Sequence, residues 1–512
     1  MKKLLMCCIG LMSMSYLIAQ DISDAVRYSV DEIQGTARFR AMGGAFGALG
    51  GDMSAVNINP AGSAIFNNSH ASLSLGYFDI NNNVTYNVQN SNNPTNSFEN
   101  SFFDINQVGA AFVFANSNPD SPWKSFTLSA AYDRVADFDD DWVANGINPN
   151  TSIVEYFFQF ANGQRLDEIS AFPGETISQA YSEIGSAFGF GNQQAFLGYE
   201  GFIINPINDT DDNTLYERNI NGSNFEHNYG YSSRGYNGKM AFNLAANYND
   251  KLYFGLNLNA HFINFERTTL FDESSPNATS GVTSVSFDNN LLTTGSGFSF
   301  QLGGIAKLTE EFRVGLSYNS PTWYRISEET NQFLATTRIE NGTNISQTVN
   351  PNVTNIFPEY RLQSPGKITG SLAYVFGKKG LFSFDYSIKD YSSAQFRPTS
   401  DVLFASLNTE INDVLASAAA TYRFGGEYRY KNFSFRGGYR FEESPYVDDT
   451  VFGDLTAYSA GLGYNFGNFN LDVAFTQSER DINNQLYNVG LTDTALVQSK
   501  FTDIILTLGF RI

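Results

Sequence analysis

The sequence predicts an all-β fold, a transmembrane antiparallel β-barrel of about 14 strands. Three observations predict it. Apolar and polar residues alternate with period two in segment after segment from residue 71 to the C-terminus. The connections between these segments alternate between tight turns and long polar links. An export leader precedes a chain in which no later run of about 18 apolar residues could form a membrane-spanning helix.

The leader comes first in the chain. Lys2 and Lys3 form a positive start, Leu4 to Ile18 is almost wholly apolar, and Ala19 is a small residue before a cleavage point at Gln20. Residues 1–19 therefore read as a secretory signal peptide. The apolar stretch is shorter than the ~20 residues of a spanning helix, and Cys7 and Cys8 lie too early for a lipid-anchor site. These are the only cysteines, which excludes a disulfide framework.

Composition narrows the classes further. Lys and Arg number 31 against 52 Asp and Glu, a formal charge of −21, so nothing would offset phosphate repulsion in a nucleic-acid complex. Aromatics at 15% exclude a disordered chain.

The alternating segments run over residues 71–83, 106–115, 123–138, 235–249, 251–267, 296–308, 311–327, 365–376, 380–391, 419–430, 432–442, 456–466, 468–479 and 501–512. In the last, Ile504, Leu506, Leu508, Phe510 and Ile512 share one face, opposite Asp503, Thr507, Gly509 and Arg511; Ile505 is the exception. Such strands place their two faces in different media. Asn249-Asp250, Thr309-Glu310, Gly377 to Lys379, Lys431-Asn432 and Gly467-Asn468 are tight turns. Short turns at one end, long loops at the other and an even strand count mark an outer-membrane barrel. A soluble Asn-rich β-protein is the competing fold; it accounts neither for the parity of the link lengths nor for aromatics on the apolar faces. The longest link, an extracellular loop over residues 139–234, has its own apolar clusters. Ile153 to Phe160 and Ile177 to Phe188 are candidate short helices in a packed cap.

Residues 20–70 precede the first strand and carry the most distinctive motif. Thr36 to Gly62 is dense in Gly and Ala, and Asn59-Pro60-Ala61 sets a turn, because Pro fixes φ and Asn bonds nearby backbone. A phosphate loop is excluded: the Gly-Lys-Ser/Thr ending is missing and no strand precedes the run. Ala41-Met42-Gly43-Gly44-Ala45-Phe46, Asp52, Ser54, Ala55 and Asn59-Pro60-Ala61-Gly62 together resemble the plug of the long-chain fatty acid and toluene transporter family (FadL/TodX-like). Arg423 to Arg429, reading RFGGEYR, then Phe435 to Tyr439, reading FRGGY, and Ser444-Pro445 resemble that family's paired strands near the C-terminus.

The resemblance implies a fourteen-stranded barrel in the bacterial outer membrane, a lumenal hatch at residues 20–70, and outer loops that capture a hydrophobic ligand. It also implies sideways exit into lipid through a kinked third strand, although Phe126 to Phe138 contains no Gly or Pro to mark a kink. The function implied is passive uptake of hydrophobic small molecules, fatty-acid-like or aromatic. The alternative is a related barrel serving as a subunit of a secretion or barrel-assembly complex, with an envelope protein partner.

Among polar residues, Arg423, Glu427, Arg429, Arg436, Arg440 and Arg511 share the inward face with Asp385, Glu442 and Asp472. Two readings stand: a site for a ligand carboxylate, which Arg pairs well, or a hydrated charge network holding the plug. Asp137 with Asp139 to Asp141, and Asp209 with Asp211 and Asp212, are solvated loop acids or Ca²⁺ ligands. His70, His227 and His261 are scattered, with haem ligation as their functional reading. No cofactor, metal site or catalytic spacing is expected, and hence no enzyme.

Overall fold

The computed structural model describes residues 20–512, so the leader lies outside the described residues. Fourteen wall strands close one antiparallel barrel. They are β1 (His70–Asn87), β2 (Thr95–Ala115), β3 (Trp123–Asp137 continued by Asp140–Asn148), β4 (Phe225–Tyr248), β5 (Leu252–Ser274), β6 (Gly281–Lys307) and β7 (Phe312–Asn319 continued by Trp323–Glu340). β8 descends in pieces, of which Lys367–Val375 is the longest. β9 (Gly380–Lys389), β10 (Ala419–Tyr430), β11 (Phe433–Glu442), β12 (Leu455–Asn465), β13 (Phe469–Gln485) and β14 (Thr494–Arg511) complete the wall. The seam between β14 and β1 is paired continuously from His70↔Arg511 to Asn87↔Thr494. Closure pairs the strand edges, as hydrocarbon requires, except where β2 and β3 separate above Gln107 and Asp133.

The alternation is borne out as two faces in two media. Leu73, Phe112, Leu128, Phe242, Leu302, Leu372, Phe424, Phe435, Leu462, Val473 and Leu506 are exposed on the outside, as an apolar band needs. Their neighbours in sequence, buried or half-buried, face the lumen. Ile505, the exception to alternation, points inward because it packs with Ala37, Ala41, Phe78 and Ala474 against the plug. At the short-turn end Asn249 and Asp250 both adopt positive φ (53° and 54°), the tight hairpin geometry whose twist matches the flanking strands. Among the described residues no helix is long and apolar enough to cross a membrane.

The structure corrects the strand lengths. Every strand from β4 to β6 extends well beyond its sequence-read start or end on the long-loop side, and the ends of the expected 139–234 loop are ladder: Asp140–Asn148 pairs with Phe225–Ser233. The loop proper is residues 149–224. These extensions rise beyond the apolar band, where both faces are polar or packed, so period two carries no apolar signal there. The expected helices are present as α3 (Val154–Ala161) and α4 (Ile177–Phe188). A further one, α5 (Phe190–Glu200), buries Asn192, Gln193 and Gln194 and so shows no apolar stripe. Phe157, Tyr181, Phe196 and Leu197 pack with Val84, Tyr86, Phe271 and Phe287 of the wall, so the loop is a cap seated in the barrel mouth.

Candidate functional site: a plugged lumen with a side gap

Residues 21–66 fold inside the barrel. Two short helices, α1 (Ile22–Arg27) and α2 (Ala37–Ala41), are followed by 3₁₀ turns at Ser54–Asn57 and Pro60–Ile65. Asn59 caps the last of these, accepting from Ala61 N at 3.1 Å. Its amide donates to Gly47 O (2.8 Å) within the plug and to Gly304 O (3.0 Å) in β6. Pro60 O accepts from Asn243 of β4 at 2.9 Å. The wall makes room by omitting side chains. A Cβ at Gly303 would lie 2.0 Å from Asn59 Oδ1, and one at Gly255 would lie 2.2 Å from the Pro60 carbonyl carbon. The same holds for the Gly-rich strands near the C-terminus: a Cβ at Gly438 would meet Gly43 N at 2.3 Å, and one at Gly425 would meet Met42 O at 2.5 Å. Sub-van-der-Waals approaches of this kind admit only glycine.

Plug backbone groups that would otherwise be orphaned find inward side chains. Asp385 accepts from Phe46 N and Gly47 N, each at 3.0 Å. Asn257 donates to Val56 O at 2.9 Å, Gln301 to Asn57 O at 3.0 Å, and Asn106 to Gly35 O at 2.8 Å. The polar inner face is thus a docking surface for irregular backbone, which must be satisfied somewhere once buried.

The sequence-named charges fall into separate groups. Near the short-turn end, the buried Glu427 carboxylate accepts from Arg38 of the plug (3.0 Å), Arg429 (2.7 Å) and Arg436 (2.6 Å), and Arg436 also pairs with Asp472. Higher in the lumen, Glu442 lies 3.3 Å from Arg440 and 3.6 Å from Arg480. Arg423 is buried beside Lys367 and Lys389, which hold plug Asp31 at 2.8 and 3.2 Å. Burial alone would raise the Asp31 carboxyl, but the two ammonium groups prevail and hold it well below the usual carboxylate range. Arg511 stands apart at the exposed short-turn rim, beside His70.

Above the plug lies a cavity of about 1320 Å³. Ile22, Val26, Ile33, Phe78 and Phe102 line its lower part, and Tyr156, Phe190, Tyr229 and Tyr487 its roof. Of the six charges named from sequence only Arg440 lines it, beside Arg40 and Arg480. On one side it reaches Ala136 and Trp142 of β3 and Phe138 at the break between its halves. Here the wall is incomplete. β2 and β3 are laddered from Ala115↔Ser125 up to Gln107↔Asp133, and there the pairing stops. Above it β2 pairs only with β1, and Asp140–Asn148 only with β4.

The gap begins where β3 breaks. Val135 is bulged out of the β4 ladder, and its carbonyl accepts from plug Glu32 N at 2.9 Å. Asp139 N donates back to the Asp137 carboxylate at 2.9 Å, an Asx turn that ends the first half of the strand. The glycine that such a bend requires sits in the neighbouring strand. Gly235 of β4 has φ +115°, and a Cβ there would lie 2.1 Å from Asn264 O. This is why Phe126 to Phe138 shows no Gly or Pro although it bends.

A family model described as outer membrane protein transport protein (OMPP1/FadL/TodX) matches residues 211–502. The chain belongs to this family. Its fold is also that of a FadL homologue from Pseudomonas aeruginosa, with a TM-score of 0.54 at 11% identity over 94% of this chain and 99% of that one. The toluene transporter TodX of P. putida gives a TM-score of 0.53 at 12% identity, again over 94% and 99%. At such identities the likeness shows fold alone. No curated protein matches the chain in sequence. As a member of the OMPP1/FadL/TodX family it resides in the bacterial outer membrane.

Several residues of this FadL-type lumen escape a sequence reading. Arg134 and Gly235 at the break, and Arg40 and Arg480 at the cavity floor, are these; Asp137 and Asp139, read from sequence as loop acids or Ca²⁺ ligands, instead shape the break in β3. The histidines lie at three levels. His70 stacks on Phe66 near the rim, His261 bonds Ser299 in the wall, and His227 is buried between Tyr86 (2.8 Å) and Glu273 (2.9 Å) beneath the cap. Among the described residues no three His, Cys, Asp or Glu are grouped to hold a metal ion.

Proposed function

We propose that this protein passively takes up hydrophobic small molecules, fatty-acid-like or aromatic, and releases them sideways into the outer membrane between β2 and β3. The observation that carries the reading is the cavity of about 1320 Å³, rich in aromatic and aliphatic side chains, that runs from beneath the cap to the unpaired stretch of wall. An apolar solute gains roughly 25 cal/mol per Å² on leaving water, so a greasy path that ends in lipid is downhill throughout. A water-filled pore would offer it nothing. The gap opens about nine residues above the short-turn end of β2; at ~3.3 Å per residue and a ~40° tilt that is ~23 Å, near the top of a ~25 Å apolar band. Arg440, at the cavity floor, is the one charge of the sequence-named six placed to meet a ligand carboxylate. The Glu427 group serves the plug through Arg38.

Ala136 lines both cavity and gap, and is buried. Ala136→Trp should fill the exit. Cells making this variant are expected to take up labelled toluene or oleate at least about tenfold more slowly than cells making the intact protein, at equal surface levels by heat-modifiable gel migration. Equal rates would refute sideways exit at this place.

The orientation follows from the same reading, with the cap outside and the tight turns in the periplasm. External protease should cut intact cells' barrels within residues 149–224 or not at all. An epitope inserted at Lys431-Asn432 should bind antibody only after permeabilisation; binding on intact cells would invert the topology.

A further inference from the structure

The gap between β2 and β3 is closed by side chains rather than by backbone. At its upper end Asn93 exchanges hydrogen bonds with Ile147 (N to Oδ1, 2.8 Å), and Asn96 bonds Asn145. At its lower end the ladder resumes at Gln107↔Asp133. Immediately above that last pair, Arg134 of β3 reaches across to the carboxylate of Asp104 on β2. Its other partner, Asp137 at 2.7 Å, is on its own strand. The guanidinium is buried, with a 7% exposed side chain, whereas Asp104 is 38% exposed. It also lies over the Tyr236 ring at 5.3 Å and the Phe102 ring at 6.0 Å. Phe102 in turn stacks on Phe78 at 5.3 Å inside the cavity.

We propose that Arg134 is a charged latch whose pairing with Asp104 sets how often the β2–β3 gap opens toward the bilayer. This rests on the uptake reading for its purpose, but not for its test. Two features make the contact a latch rather than a rivet. A pair with one half-exposed partner is weak, and water or salt can replace it. Breaking it leaves Arg134 paired to Asp137, so the cation is never stranded in the wall. The position also connects the gap to the plug. Val135, the next residue, holds Glu32 N through its bulged carbonyl, and Glu32 accepts from Asp137 N at 3.2 Å. Release of Asp104 therefore frees the outer side of a residue pair whose inner side the plug grips.

Both natural cysteines lie in the leader, at Cys7 and Cys8, so Ala136→Cys provides a single reporter in the exported chain. The probe is a maleimide carried on a phospholipid acyl chain, which reaches residue 136 only from the bilayer through an open gap. Asp104→Asn should raise its labelling rate about two- to fivefold, and Arg134→Met by at least as much. Raising the salt should speed labelling of the reporter alone but not of Asp104→Asn. Asp104→Asn leaves the Arg134–Asp137 pair in place, so it remains informative if Arg134→Met fails to assemble. Unchanged labelling in Asp104→Asn would overturn the latch whatever the uptake rates are. Faster labelling in a protein that takes up neither toluene nor oleate would uphold the latch and refute the uptake reading.

Discussion

Deleting residues 22–62 is expected to convert the barrel from a closed to a conducting state, raising single-channel conductance at least about tenfold while selectivity for apolar solutes is lost. A fourteen-stranded barrel is too wide for its wall side chains alone to fill. Here the plug does so, held by inward Asn, Gln and Asp side chains on its backbone, by close packing on wall glycines, and by ion pairs such as Arg38–Glu427 and Asp31–Lys367. The wall ladder does not depend on them: β1 and β14 pair along their whole length, and the lipid-facing residues remain. The variant should therefore assemble and leak. Planar-bilayer recording checks this. A folded variant that conducts no more than the intact protein would remove the plug from the account.

The second large effect concerns assembly. Leu508→Arg should cost about 2–4 kcal/mol, a factor of roughly 30 to 1000 in the folded ratio, and deplete the protein from the outer membrane. Leu508 pairs with Leu73 on β1 and Leu471 on β13, so it stands in the middle of an apolar row that spans the closing seam. An arginine there faces hydrocarbon on one side and leucines on both others. Phe510, paired with Phe469 one step nearer the rim, should matter less when cut to Ala, because the interface there is wetter. Surface levels of the two variants, compared by heat-modifiable migration, provide the check; parity with the intact protein for both would contradict a lipid-facing β14.

What was legible in the sequence was whatever the bilayer dictates. Fourteen strands, their tight turns and the outward face of β14 follow from a medium that tolerates only closed ladders with an apolar exterior. Asn59-Pro60-Ala61 stands out in the sequence as a turn; the structure seats it against Gly255 and Gly303, while Met42 and Gly43 lie on Gly425 and Gly438. The rest was hidden for identifiable reasons. Strand ends above the lipid lose their apolar period. The break in β3 is made by an Asx turn and by a glycine 96 residues beyond Asp139 in sequence but hydrogen-bonded to its carboxylate in space, Gly235 of β4. One inward face of arginines looked like one cluster, yet register places Glu427 and Arg436 low against Arg38 while Arg440 sits at the cavity floor.

Photocrosslinking with a diazirine-bearing fatty acid tests most directly whether apolar molecules travel through this lumen and out of its side. After brief exposure of intact outer membranes and irradiation, adducts are mapped by peptide mass spectrometry. Adducts are expected at cavity residues such as Phe78, Phe102, Tyr229 and Tyr487 and at the gap residues Ala136 and Phe138, competed away by excess oleate. Adducts confined to the lipid-facing band, at Phe424, Phe435, Val473 and their neighbours, with none in the cavity, would contradict that route.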